Sequence, residues 1–315
     1  MNAPVLPADD PSAITRAADR LREGGLVAMP TETVYGLAAD AGNASAVARL
    51  YAAKGRPRFN PLIAHVTGIA MAKTLVEWNP LAEALAQAFW PGPLTLVLPK
   101  LAGAPICDLA NAGLDSVALR SPRHAGAQAL LAAFGAPLVA PSANPSGGVS
   151  PTTARHVSDG LGEKLDLILD GGACTVGLES TVIAILDGRA TLLRPGGLER
   201  AQIEAITGPL AAAGHSDAPA SPGMLQSHYA PGAALRLDAT QALPGELLLG
   251  FGTIAGDLNL SPRGDLAEAA AGLFAALRDL DARGPASIAV APIPEQGLGE
   301  AINDRLQRAA APRPV

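Results

Sequence analysis

S12-A-I-T-R-A-A-D-R-L-R-E-G-G-L-V-A-M29 changes its hydrophobic period partway along. Up to Glu23, the residues Ile14, Ala17, Ala18 and Leu21 recur at three- and four-residue intervals, which is one stripe of a helix, and Gly24-Gly25 stops it. Leu26 to Met29 then form an unbroken apolar run of the kind a buried strand shows. Similar short runs recur at Leu62 to Val66, Leu94 to Leu98, Val117 to Leu119, Pro137 to Ala140, Leu167 to Leu169, Val182 to Leu186 and Thr191 to Leu193. Helical stretches separate only some of them. The pattern therefore predicts an open mixed α/β sheet with flanking helices, not a strictly alternating parallel one.

Beyond this region, residues 208–234 are rich in Gly, Pro, Ser and Ala without periodicity and read as a linker. Strand Glu246 to Phe251, helix Asp265 to Asp281, strand Ser287 to Ala291 and helix Gly299 to Ala310 then give a smaller Rossmann-like βαβα unit. The expected organisation is a sheet domain at 10–207, a linker at 208–234 and a second domain at 235–315. With 315 residues, 49% of them hydrophobic, the chain can bury two cores.

A formal charge of -6 argues against a protein that holds nucleic acid by its overall field. Any polyanion site must be local. Cys107 and Cys174 are the only cysteines, too few and too far apart for a zinc cluster or a disulfide framework, and read as reduced, mostly buried thiols. The N-terminus has no signal-like n- and h-regions and no run of about 18 apolar residues occurs, so a cytoplasmic protein without membrane spans is expected.

Acidic residues are absent from Ala41 to Val76 and from Ser116 to Ser158, where Arg49, Lys54, Arg56, Arg58, Lys73, Arg120, Arg123 and Arg155 fall. Folded together, these stretches would make a pocket of positive potential; taken singly, each also fits a solvated face. In K54-G-R-P-R-F-N-P-L62, an extended segment would point Lys54 and Arg56 the same way, and two cations on one face can grip a phosphate chain. In P141-S-A-N-P-S-G-G-V-S-P-T-T153, Ser142 and Asn144 alternate likewise, Gly147-Gly148 would let backbone approach a ligand, and Ser150-Pro151 reads as the cap and first turn of a helix through Val157. The sequence lacks a P-loop, a hydrolase elbow and an HExxH pair, and G250-F-G-T-I-A-G256 is misspaced for a dinucleotide fingerprint.

Taken in order, P30-T-E-T-V-Y-G-L37, K54-G-R-P57, N60-P-L-I63, F89-W-P-G-P-L-T-L96, A140-P-S-A-N-P-S-G147, G177-L-E-S-T-V182 and L193-R-P-G196 resemble the YrdC/Sua5 family of threonylcarbamoyl-AMP synthases. S221-P-G-M224, H228-Y-A-P231 and G297-L-G-E-A-I-N-D-R-L306 resemble the linker and C-terminal domain of its longer, Sua5-type members, with Leu225-Gln226 where many relatives carry a basic and aromatic pair. The resemblance implies a twisted α/β sheet enclosing a positively lined cavity, and synthesis of an adenylate from L-threonine, bicarbonate or CO₂, and ATP, for tRNA modification. It implies ATP at Arg56, Asn60, Ser116, Ser142, Ser150, Arg194 and Tyr229, and threonine at Thr33, His65, Arg120, the Ala140 backbone and Ser180. Lys54, Arg56, Ser142 and Asn144 would form the reacting centre, with Mg²⁺ carried by ATP and no metal bound by the protein. Glu32 and Glu179 are left unassigned. The aromatic in an otherwise tether-like segment leads us to expect that the linker folds over the cavity when ATP is bound, with Tyr229 against the nucleotide, the alternative being a passive spacer. A downstream threonylcarbamoyl-transferring machinery is the implied partner, and weak tRNA contact stays open. The rival readings are a non-catalytic RNA-binding protein and a carbamoyl-AMP-forming relative.

Overall fold

A computed structural model describes residues 2–186, 188–212 and 227–312. The first domain opens with β1 (Val5–Pro7), α1 (Pro11–Arg22), β2 (Val27–Met29), β3 (Gly36–Asp40), α2 (Ala44–Lys54) and β4 (Ile63–His65). It continues with α3 (Ile69–Ala72), α4 (Pro80–Phe89), β5 (Leu94–Pro99), β6 (Ser116–Arg120), α5 (Ala125–Phe134) and β7 (Leu138–Val139). Helix α6 (Ala154–Leu161), β8 (Leu167–Asp170), β9 (Thr181–Leu186), β10 (Arg189–Arg194), α7 (Arg200–Thr207) and β11 (Ala211–Ala212) complete it.

These strands form one sheet in the order β1-β8-β2-β3-β7-β4-β6-β5-β9-β10-β11. It is mixed, as the uneven strand spacing implied: β4 and β6 run parallel, whereas β5 and β6 run antiparallel. The unbroken apolar runs follow from cover on both faces. Along β2, the period of two sends Ala28 into one core cluster with Val47 and Leu85, and Val27 and Met29 into the opposite one with Leu21 and Leu130. Helix α1 presents the stripe expected of it, Ile14, Ala17, Ala18 and Leu21, all buried, and is capped by Asp10, which accepts from Ser12 N at 2.8 Å.

The second domain contains β12 (Ala234–Arg236), β13 (Glu246–Gly250), β14 (Leu258–Asn259), α8 (Leu266–Ala282), β15 (Ser287–Val290) and α9 (Gly299–Ala310). Its sheet is parallel, in the order β12-β15-β13-β14. Its core is not its own alone, because Val34, Val149 and Leu178 of the first domain pack into it together with Tyr229.

Three local expectations change. The segment from Ser150 is extended, with Pro151 O accepting from Tyr35 N at 2.9 Å, and α6 begins only after its true cap, Thr153, which accepts from His156 N at 3.2 Å. Lys54 and Arg56 do not lie on one extended strand: Lys54 ends α2, and Gly55 leaves the helix in the left-handed conformation at φ 63°. The 208–234 segment is not uniformly a tether, since Ala211–Ala212 pairs with β10 and His228-Tyr229 is buried. Ser221-Pro-Gly-Met and Leu225-Gln226 lie outside the described residues.

Candidate active site

The end of the P30–L37 word and the P141-S-A-N loop are laced together by backbone. Leu37 N donates to Pro141 O at 2.7 Å, Ala143 N donates to Tyr35 O at 2.8 Å, and Gly36 faces Ser142 across an isolated bridge. A Cβ on Gly36 would come within 3.0 Å of the Ala140 Cβ, so the close approach depends on glycine. Parallel pairing of β4 with β6 sets His65 opposite Arg120, each at the C-terminal end of its strand. Ser180 precedes β9 and Arg194 ends β10. These ends surround a cavity of about 560 Å³, mouth included, whose polar wall contains Arg56, His65, Arg120, Ser142, Ser180 and Arg194.

Two groups of charge meet there. In the first, Arg120 pairs with Glu32 at 2.7 Å, both side chains nearly buried, and Glu32 also accepts from Arg123 N at 2.9 Å. Burial alone would raise the Glu32 carboxyl, but Arg120 outweighs it and holds it below the usual range. Burial, with Arg120 adding, pushes His65 down to about 3, so the ring is neutral at physiological pH. This group carries no net charge.

The second group is rich in cations. Arg194 donates to Ser180 O at 2.9 Å, and Arg56 donates to Pro61 O at 3.0 Å while burial lowers it to about 10. Lys54 is buried, pushed well down by burial and by Arg56, and its ammonium donates to the carbonyls of Ser142 and Asn144. The carboxylate here is Glu179, which accepts from Ser150 Oγ at 2.5 Å and pairs with Arg305 of α9 at 2.8 Å. Tyr229 closes the wall. It is stacked on Phe274 with ring centroids 5.7 Å apart, and the next residue, Ala230, donates its N–H to Gly147 O at 2.9 Å.

Arg56, His65, Arg120, Ala140, Ser142, Ser180, Arg194 and Tyr229 thus share one cavity. Other residues implied by the resemblance stand back from it. Lys54 clamps the Ser142–Asn144 backbone from behind, and the Asn144 amide donates to Pro145 O and Gly148 O, both at 2.8 Å. Thr33 Oγ1 is held 2.8 Å from Thr31 Oγ1, which belongs to a lining residue. Ser150 is engaged by Glu179, and its helix-capping role passes to Thr153. Ser116 lies at the opposite end of β6 from Arg120. Asn60, fully buried behind Arg56, has neither amide atom hydrogen-bonded. Gly147, at φ 84°, meets the linker through its carbonyl and does not line the cavity. Among the other basic residues of the acid-free stretches, Arg49, Lys73 and Arg155 form exposed ion pairs with Asp166, Glu83 and Asp159.

Sequence reasoning left Glu179 unassigned and missed the wall contributed by His228 and, behind it, Arg305. Glu179 and Arg305 do sit inside quoted motifs, which was the available signal. Among the described residues no three His, Cys, Asp or Glu side chains converge, and Glu179, which lines the cavity, and Glu32, which pairs with the lining Arg120, are each engaged by an arginine. That donor set does not fit a metal held by the protein itself.

Comparison with known proteins adds to this geometry. A family profile described as "Telomere recombination", for Sua5, YciO and YrdC proteins, matches residues 19–196, and one described as "Threonylcarbamoyl-AMP synthase, C-terminal domain" matches residues 198–311. A threonylcarbamoyl-AMP synthase from Bacillus subtilis is 41% identical, covering 98% of this chain and 96% of its own length. A shorter one, from Halorhodospira halophila, is 42% identical over 52% of this chain and 86% of its own length. The crystal structure of Pyrococcus abyssi Sua5 complexed with L-threonine superposes with a TM-score of 0.90 at 37% identity, covering 98% of both chains.

Proposed function

Because the chain belongs to the Sua5/YciO/YrdC family, in its two-domain form, we propose that it makes threonylcarbamoyl-AMP and pyrophosphate from L-threonine, bicarbonate or CO₂, and ATP. One observation carries this reading: a single cavity joins an end lined by Arg120, whose charge is balanced by Glu32 outside the lining, to a cation-rich end formed by Arg56 and Arg194. A zwitterionic amino acid suits the first and a triphosphate the second.

The threonine amine adds to CO₂ with release of a proton to solvent, or to bicarbonate with loss of water, and gives a carbamate. A carbamate oxygen then attacks the α-phosphorus of ATP; the new O–P bond forms as the bond to the bridging oxygen breaks and pyrophosphate leaves. Arg120, His65 and Ser180 would orient the amino acid, and Arg56, Ser142 and Arg194 the nucleotide. The chain's contribution is positioning, exclusion of water and stabilisation of charge on the transferring phosphate. Mg²⁺ would arrive on the oxygens of ATP. Tyr229 would cover the nucleotide and shield a carbamate and an adenylate that water destroys. The product would pass to a threonylcarbamoyl-transferring tRNA-modification machinery in the cytoplasm. No helix among the described residues is long and apolar enough to cross a membrane.

The RNA-binding alternative fits less well, because Arg56, Arg120 and Arg194 are at most 8% exposed and cannot reach a folded RNA backbone. Pyrophosphate release with bicarbonate present, followed with and without L-threonine, tests the proposal. Threonine-dependent release is expected; ATP cleavage equally fast without threonine would overturn it.

A further inference from the structure

Among the described residues, Arg305 is the largest fully buried side chain, and it reaches out of its own domain. From α9 it meets Glu179 at 2.8 Å and Pro195 O at 3.0 Å, both in the first domain, while Asp304 of its own helix lies 2.6 Å away. Its guanidinium carbon sits 5.2 Å from the centroid of the Tyr229 ring. Glu179 in turn holds Ser150, and Nη2 of Arg305 is buried without a hydrogen bond.

Cohesion between the domains does not account for this arrangement. A buried ion pair about breaks even against apolar residues of the same volume, and Val34, Val149 and Leu178 already weld the domains with apolar contact. The charge is instead placed where the cavity wall needs it. Glu179 lines the cation-rich end, and the two cations acting on its carboxylate are Arg305 and Arg194. With Arg305 gone, the carboxylate would turn its charge onto Arg194, which faces the cavity, and Tyr229 would lose the cation beside its ring.

We propose that Arg305 is a positioning residue for the nucleotide end of the cavity: from the C-terminal domain it engages Glu179 and backs the Tyr229 ring, so that the Arg194 side of the cavity stays positive. This rests on the function proposed above for the same cavity. Docking of the C-terminal domain and competence to bind ATP then become one event.

Calorimetric titration of the full chain with ATP and, separately, with L-threonine tests it. Arg305→Met should weaken ATP about tenfold or more while L-threonine stays within about twofold, with Arg305→Lys between parent and Arg305→Met. Adding Glu179→Gln to Arg305→Met should recover much of the ATP affinity, because no carboxylate is left to turn onto Arg194; a purely structural arginine gives no such rescue. Equal losses for both ligands, unchanged ATP affinity, or no recovery in the double variant would overturn the proposal. If Arg305→Met does not fold, Glu179→Gln and the double variant decide, since they should bind ATP alike within about threefold and a wider gap refutes the mechanism. ATP titrations that behave as expected in a chain lacking threonine-dependent pyrophosphate release would refute the proposed reaction and leave this inference standing.

Discussion

Arg56 keeps its charge in a place where burial opposes it, at about 10 and still cationic at neutral pH, and its donors are spread over Pro61 O and Asn60 O as well as the cavity. We expect Arg56→Ala to lower turnover by about 10²-fold, the usual loss for a preorganised charge-stabilising donor. Pyrophosphate-release kinetics with a melting curve check this, and turnover close to the parent's in a folded variant would remove Arg56 from the reacting centre. His65 and His228 lead to a second expectation. Burial pushes both to about 3, so between pH 6.5 and 3 the unfolded chain takes up protons that the folded chain refuses. Their contribution to stability is complete above pH 6.5 and is lost as the pH falls. Glu32 and Glu179, held low by Arg120 and Arg305, add a loss of the same sign below about 4.5. Urea unfolding at pH 5.5 should give a stability lower than at pH 7.5 by up to about 1.4 kcal/mol for each histidine, and a flat response would show that they protonate in place. Arg56 and Arg120 were legible because acid-free stretches gather them in sequence, whereas Arg194 was legible only through the resemblance carried by L193-R-P-G196. The Glu179–Arg305 pair was not, because its partners are 126 residues apart and neither periodicity nor spacing links them.

Short apolar runs gave away most strands, since a strand covered on both faces is apolar along most of its length. Strand β3 escaped notice because it follows directly from the P30–L37 word, whose hydroxyls and glycine read as a site and not as a sheet. The start of α6 was misread at Ser150-Pro151 for a related reason. Proline suits the first turn of a helix and an extended segment equally, and Ser150 had found Glu179 as its partner instead of the helix backbone. Packing between elements is tight at Gly177, where φ is 73° and an added Cβ would lie 2.5 Å from Ala270 O and from the Ala271 Cα of α8. Gly177→Ala should therefore cost at least about 2 kcal/mol, from left-handed strain together with overpacking against helix backbone. Denaturant unfolding measures it, and a loss below about 0.5 kcal/mol would show that α8 yields freely there.

Among the described residues there are two sheets but not two independent cores, since apolar residues from both domains share one cluster. Trp78 and Trp90, the only tryptophans, both lie in the first domain, so their fluorescence reports on that half alone. We expect fluorescence and far-ultraviolet circular dichroism to give the same urea midpoint, as one cooperative unit requires, whereas separated midpoints would mean that the halves unfold in turn. A second, smaller sheet was legible from the βαβα pattern that starts at Glu246; the sharing of core was not, because Val34, Val149 and Leu178 look in sequence like core of their own domain. The Tyr229 wall, backed by Phe274 and Arg305, also bears on selective inhibition. A small molecule that fills the cavity and leans on that aromatic face would draw part of its affinity from side chains encoded after residue 226. Enzymes of this family built on the first domain alone cannot supply that surface, so a compound chosen for its grip on Tyr229 would spare them.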